Sequence, residues 1–228
     1  MRLEGKNILI SGGNGRLGKE LVSLLKQEGA SVMSPAHQEW DCTLRPCGLA
    51  MPSQPDIIIH AAAYTDVKGA EVDKNDCQYL NVEGTRRVSK LAYDLKAKLV
   101  YISSDYVNVH PMGFYAFTKK AGESFVSKRK GLIIRTSFKP RDHWGEDALQ
   151  GVFHPVYTNC DWVDVIAKKI VEAICEERTG IANIGTERKT LRDLAREEYP
   201  DVKTIPVEEA DEMVGYIYPR DTCAELTI

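Results

Sequence analysis

Gly12, Gly15 and Gly18 lie three residues apart, directly after the apolar run Asn7–Ser11 and at the start of a segment of helical periodicity, Arg16–Glu28. That setting restricts the fold more than any other feature of the chain. A strand that turns at once into a helix needs glycine where the backbone bends tightly, where a pyrophosphate approaches the main chain, and where the helix packs closely on its sheet. The N-terminal amides of the helix then face the anion. The expected result is a dinucleotide-binding turn, with Gly12, Gly15, Arg16, Leu17 and Gly18 around the pyrophosphate.

The same stretch nearly spells a triphosphate-binding loop, Gly13-x-x-x-x-Gly18-Lys19, but Glu20 stands where Ser or Thr would hold magnesium. A carboxylate at that place repels phosphate. At the end of the second strand, where an acidic residue would hold a ribose 2′-hydroxyl, the chain has Ser34-Pro35. Nothing acidic opposes a 2′-phosphate there, and Arg16 either pairs with one or is a solvated helix arginine. NADP(H) is therefore the preferred cofactor, with NAD(H) also admitted.

Apolar runs at Asn7–Ser11, Ala30–Ser34, Asp56–His60, Lys98–Ser103 and Leu132–Arg135 alternate with helical segments at Arg16–Glu28, Cys77–Leu95 and Phe114–Lys128. This alternation predicts an α/β fold, a Rossmann-type doubly wound parallel sheet covered by helices on both faces. Pro35–Pro55, with four prolines and no sustained period, reads mostly as loop. Lys139–Val152 reads as an irregular connection. A helix at Asp161–Glu176, a strand at Ile181–Ile184 and a helix at Leu191–Glu198 capped by Thr190 follow. We expect a cofactor-binding domain over 1–137 and a small α/β substrate-binding region over 138–228 packed on it.

Lys+Arg 30 against Asp+Glu 33 leaves a net charge of −3. The chain thus lacks the basic footprint of a protein that coats nucleic acid. Its longest nearly unbroken apolar run, 57–64, falls far short of the roughly 20 residues of a membrane span. The N-terminus shows no apolar core or cleavage site of a secretory signal, so a cytoplasmic location is expected. The six cysteines are scattered without a Cys-x-x-Cys pair, and the five histidines do not approach them at metal-ligand spacing. Reduced, structural thiols and no metal are expected.

Ser104 ends the fourth strand, and eleven residues on comes Tyr115-Ala-Phe-Thr-Lys119. Tyrosine and lysine four apart share one helix face. A phenol has pKa ~10, so work as a proton donor and acceptor near neutrality calls for a lowering of about three units. One cation at ~4 Å and an effective dielectric of ~20 contributes about 4 kcal/mol, enough to supply it. The expectation is that Lys119 lowers the pKa of Tyr115, while a hydroxyl at Ser104 orients a substrate carbonyl.

Ser104, Tyr115 and Lys119 in this order resemble the triad of the short-chain dehydrogenase/reductases. Further strings narrow the resemblance to the extended branch of that superfamily, and within it to the dTDP-4-dehydrorhamnose reductases. His60-Ala61-Ala62-Ala63-Tyr64-Thr65-Asp66-Val67 through Glu71 looks like that family's Ala-Ala-Ala-Tyr-Thr segment, and Asn81-Val82-Glu83-Gly84 like its Asn-x-x-Gly helix start. Ser103-Ser104-Asp105-Tyr106-Val107 is similar to Ser-Thr-Asp-Tyr-Val, and Arg135-Thr136-Ser137 to Arg-Thr-Ser-Trp. The resemblance implies that Ala61, Ala62 and Ala63 line the nicotinamide side and that Asp41 and Cys42 lie near the adenine. It also implies that Asn81 supports the active-site strand and that Val67, Asp105, Tyr106 and Phe138 face the sugar.

The implied activity is reduction of a nucleotide-linked 4-keto-6-deoxy sugar, with the nucleotide sugar as partner and homodimer formation left open. Only Asp105–Phe114 separates Ser104 from Tyr115, Phe138 replaces the familiar tryptophan, and some twenty residues link Ser137 to the next helix. A reduced, open sugar site is expected from this shortening. The alternatives are a non-catalytic NADP-binding regulatory subunit and another epimerase or reductase of the same superfamily.

Overall fold

The structure, a computed structural model, describes residues 3–44, 53–142, 151–216 and 218–226. The parts of the expected loop and connection at 45–52 and 143–150 lie outside the described residues. Six strands form the central sheet: β1 (Asn7–Ser11), β2 (Ser31–Met33), β3 (Ile57–His60), β4 (Lys98–Ser104), β5 (Leu132–Thr136) and β6 (Gly180–Asn183). Their order is β2-β1-β3-β4-β5-β6 and every pairing is parallel. The chain leaves β1 for one side of the sheet and returns to the other at β3. The glycine turn after β1 therefore sits at the topological switch point, the crevice where open parallel sheets take their ligands.

Successive strand residues face opposite sides, and the burial follows that period of two. Ile8, Ile10, Ile57, Ile59, Val100, Ile102, Leu132 and Ile134 fill one face beneath α1 (Arg16–Gln27) and α5 (Val163–Cys175). Leu9, Ile58, Leu99, Tyr101 and Ile133 fill the other, with Val88 and Ala92 of α3 (Thr85–Asp94). Helix α4 (Phe114–Glu123) also packs against this second side of β4. Because β6 and α5 come from beyond residue 137, the core is continuous across the 137/138 boundary.

Two expected helices differ in detail, and strands not expected appear. The segment read as one helix over Cys77–Leu95 is α2 (Lys74–Gln78), a π-helical turn over Tyr79–Gly84, and then α3. The helix expected to reach Lys128 ends at Glu123, because the Ser124 hydroxyl takes the Ala121 carbonyl and the Phe125 and Val126 amides turn back to Gly122 and Glu123. The later part also holds short paired strands that the sequence did not announce, such as Phe138–Lys139 beside Asp161–Trp162 and Thr204–Pro206 beside Val152–His154. Thr190 caps α6 (Leu191–Arg196) as expected, its hydroxyl accepting from the Asp193 amide. Among the described residues no helix is long and apolar enough to cross a membrane.

Candidate active site

The three glycines of the turn have different tasks. A Cβ on Gly12, whose φ is +75°, would lie 2.5 Å from the Ala62 amide nitrogen. One on Gly18 would overlap the Gly12 carbonyl. These two let the turn touch the Ala61–Ala63 segment and let α1 close on the turn. Gly15 meets nothing nearer than Gly12 O at 3.2 Å, and it is the N-cap of α1, which no side chain caps and whose first turn holds no acid. A helix start that no side chain caps, beside an open glycine, suits the pyrophosphate of a dinucleotide.

Arg16 is exposed at this opening and Leu17 is buried beneath it. Ser34 stands so close over the turn that a side chain on Gly13 would strike its hydroxyl. Asp41 lies half-buried. Burial pushes its carboxyl up, but the Thr43 hydroxyl and amide, at 2.7 and 2.8 Å, outweigh this and hold it below the usual range. Cys42 is packed into the core, its thiol pushed up to about 11, chiefly by burial.

The structure brings Ser104, Tyr115 and Lys119 together at the carboxyl edge of the sheet. Ser104 ends β4, and its hydroxyl accepts the Tyr106 amide at 3.2 Å and lies 3.4 Å from Asp105 Oδ1. Tyr115 lies in the first turn of α4, with Lys119 one turn on. The Lys119 ammonium is 3% exposed and stands 4.5 Å from the centre of the Tyr101 ring. Burial lowers its pKa to about 7, although Cys77 and Glu123 push the other way. For Tyr115, burial and then Asp105 push the phenol well above its ordinary value, against a smaller contribution from Ser104. The expected lowering of Tyr115 is thus corrected: the cation lies over Tyr101, and burial drives both groups toward their neutral forms.

Long-range contacts fix this face. Glu123, near the end of α4, receives Ser103 Oγ at 2.8 Å and a forked pair from Arg135 at 2.8 and 2.7 Å. Arg135 also donates to Asn108 Oδ1 at 2.9 Å, tying down the turn after Ser104. Asn81, in the π turn, accepts the Tyr64 amide at 2.8 Å and donates to Thr118 Oγ1 at 3.0 Å, so it joins the Ala61–Tyr64 segment to α4. Residues not anticipated also enter. His60 is fully buried, with Nδ1 2.6 Å from Ser11 Oγ and Nε2 3.1 Å from Thr85 Oγ1. Glu71 accepts the Phe114 amide at 2.7 Å, capping α4 where Gly113 offers no side chain.

Val67, Tyr106 and Tyr115 line one cavity, together with Tyr216 and Pro219 from the C-terminal part. Phe138 is elsewhere. It stands in its short strand beside Asp161 and packs against the core under α5. Asp105 is 6% exposed, with its carboxylate turned to the Ser137 hydroxyl at 2.6 Å.

A glycine turn at the switch point of a parallel sheet, facing a Ser-Tyr-x-x-x-Lys arrangement across the same edge, defines a dinucleotide-dependent oxidoreductase of the short-chain dehydrogenase/reductase class. Residues 6–139 match the family described as RmlD substrate binding domain, more than half of the chain, and the chain belongs to that family. It is 27% identical over 210 residues to the dTDP-4-dehydrorhamnose reductase of Mycobacterium tuberculosis H37Rv, covering 82% of this chain and 69% of that protein. With the reductase of Escherichia coli K12 the identity is 32% over 152 residues, 58% of this chain but only 51% of that protein. The crystal structure of dTDP-4-dehydrorhamnose reductase from Bacillus anthracis in complex with NADP superimposes with a TM-score of 0.83 at 25% identity, covering 98% of this chain and 91% of that one.

Proposed function

We propose that the protein reduces the 4-keto group of a nucleotide-linked 6-deoxy sugar with NADPH, a reading supported by relatives named dTDP-4-dehydrorhamnose reductase and by a structural neighbour in complex with NADP. The observation that carries the reading is the convergence of Ser104 at the end of β4 with Tyr115 and Lys119 on one face of α4, Tyr115 itself lining the cavity with Val67 and Tyr106. A bound dinucleotide supplies hydride. Tyr115, held in its protonated form by burial, gives its proton to the carbonyl oxygen while Ser104 orients that oxygen. Lys119, poised near neutrality, stabilises the phenolate and returns a proton to it. Gly15 and the open end of α1 hold the pyrophosphate, and Ser34 with Arg16 leaves room for a 2′-phosphate. Residues 1–137 then supply the cofactor side, and Tyr216 and Pro219 supply part of the sugar side from within 138–228.

NADPH oxidation with dTDP-4-dehydrorhamnose tests this directly. Tyr115→Phe should abolish turnover and leave cofactor affinity within a few-fold, since the ring still packs. Equal activity of the variant and wild type refutes the assignment. A second reading, a non-catalytic dinucleotide-binding subunit, draws on the smallness of the cavity, about 10 Å³, with Tyr216 and Pro219 in its lining. Calorimetry on the NADPH-loaded protein separates the two: binding of dTDP supports the reductase, and no dTDP binding together with no turnover supports the subunit.

A further inference from the structure

The dinucleotide has to cross β3. In the sheet order β2-β1-β3-β4 the glycine turn follows β1, while Ser104 ends β4 and Tyr115 stands on α4. A cofactor with its pyrophosphate at the turn and its nicotinamide at Tyr115 therefore passes over the carboxyl end of the strand between them. What leaves β3 there is 61–64, a half-buried stretch outside any helix or strand. It adjoins the turn, since a Cβ on Gly12 would lie 2.7 Å from Ala62 Cα. Both ends of the stretch are pinned. Ser11 and His60 are the last register pair of β1 and β3, both buried, and Ser11 Oγ lies 2.6 Å from His60 Nδ1. At the far end Asn81 accepts the Tyr64 amide at 2.8 Å and donates to the Tyr64 carbonyl at 3.2 Å. We propose that His60 is a positioning residue for the dinucleotide: it clasps β3 to β1 and, through Thr85, joins that clasp to Asn81, so that both ends of 61–64 are held under the nicotinamide half from one anchor.

Each hydrogen in this circuit has one place to go. Thr85 has a single hydroxyl hydrogen and donates it to Asn81 O at 2.6 Å, so at 3.1 Å from His60 Nε2 it accepts. Burial keeps the ring neutral. Nε2 thus carries the hydrogen of the ring, and Nδ1 takes that of Ser11. Asn81 carries the circuit on to α4: its side-chain amide donates to Thr118 Oγ1 at 3.0 Å, whose own hydrogen goes to Tyr115 O at 2.7 Å. The imidazole also stacks on Tyr101, with centroids 5.7 Å and planes 26° apart. Three alanines outside any strand ladder have no polar side chain with which to fix themselves. A stretch ordered before the ligand arrives spares binding the cost of ordering it. An apolar side chain in place of His60 fills the space but leaves Ser11 and Thr85 unjoined, and loosens the stretch where the cofactor crosses it.

The inference rests on the reductase reading, and the choice of ligands separates the two. Adenosine 2′,5′-bisphosphate reaches the glycine turn but lacks the nicotinamide half. In the full chain, His60→Leu should raise the NADPH Kd about tenfold and leave that of the bisphosphate within about twofold, whereas damage spread over the fold would weaken both. His60→Gln keeps a donor and an acceptor on its amide and should recover most of the loss. Nitrogen-15 NMR of the histidines gives a readout independent of binding: the signal that His60→Gln removes should be that of a ring protonated at Nε2 alone. A ring protonated at Nδ1 overturns the inference, as does a His60→Leu protein with wild-type NADPH affinity or with equal losses for the two ligands. A wild type that binds neither ligand and reduces no keto sugar overturns the reductase reading instead. Should His60→Leu fail to fold, Ser11→Ala, which removes the donor to Nδ1, carries the same binding measurements with the same expected directions.

Discussion

Two buried cation-forming side chains lie at the site, His60 at the end of β3 and Lys119 on α4, and burial keeps both away from full charge. Burial, with Lys119 a further cause, lowers His60 to about 3, so the imidazole is neutral. Thr85 Oγ1 donates to Asn81 O at 2.6 Å, so it accepts from His60 Nε2, and Nδ1 is left to accept from Ser11. Lys119 titrates near 7 against an ordinary 10.5. Between those values the unfolded chain binds a proton that the folded protein does not, so the contribution of Lys119 to stability rises with pH across this window. Below about 7 both states are protonated and the burial cost is present in full. Lys119→Met should therefore be more stable than wild type at pH 7. Its advantage should shrink by at most about 1.4 kcal/mol per pH unit toward pH 9. Parallel denaturation curves of the two proteins from pH 7 to 9, with a constant difference, would show that Lys119 is not depressed. Ser104, Tyr115 and Lys119 were legible because one strand end and one helix face carry them. His60 was not, since it reads as one more residue of an apolar strand and its partners, Ser11 and Thr85, are 49 and 25 positions away.

At the scale of elements, the catalytic helix begins without a local cap. Gly113 supplies no side chain, and Glu71, 43 residues earlier, takes the Phe114 amide. A carboxylate at a helix N-terminus satisfies an orphan donor and complements the helix dipole. Glu71→Ala should cost about 1 kcal/mol, or roughly 2–4 °C in Tm for a chain of this size, and should lower kcat because Tyr115 lies in that first turn. Glu71→Gln keeps an acceptor and should fall between; a Glu71→Ala protein with wild-type Tm and kcat would contradict the cap. Strands β1, β3, β4 and β5 were readable to within a residue or so because each is an apolar run between turn signals. The π turn was hidden inside a good helical period, since its cause is the tie from Asn81 to Tyr64 and Thr118. The two-residue strands are defined by partners far along the chain, such as Lys189–Thr190 against Tyr157–Thr158, and have too few residues to show a period.

For the molecule as a whole, the span 6–139 that carries the family match is not a complete packing unit. Strand β6 pairs with β5 through Gly180–Leu132 to Asn183–Arg135, and α5 lies along α1. Helix α5 buries Ile166, Ile170, Val171 and Ile174 against that side of the sheet. Full burial of one such side chain contributes roughly 1.5–3 kcal/mol, so these four together rival the whole ~5–15 kcal/mol by which a domain is stable. A fragment ending at Lys139 exposes their partners, Leu21, Leu25, Leu132 and Ile134, while retaining the glycine turn, Ser104, Tyr115 and Lys119. It should show no cooperative thermal transition and no response to NADPH, despite holding every residue assigned to the cofactor. The full chain at 100 times the NADPH Kd should gain about 2.7 kcal/mol, which is roughly 5–11 °C in Tm. Circular dichroism melts of both proteins, with and without NADPH, decide it: a cooperative, NADPH-shifted transition in the fragment would mean that the cofactor half folds alone and that α5 only decorates it.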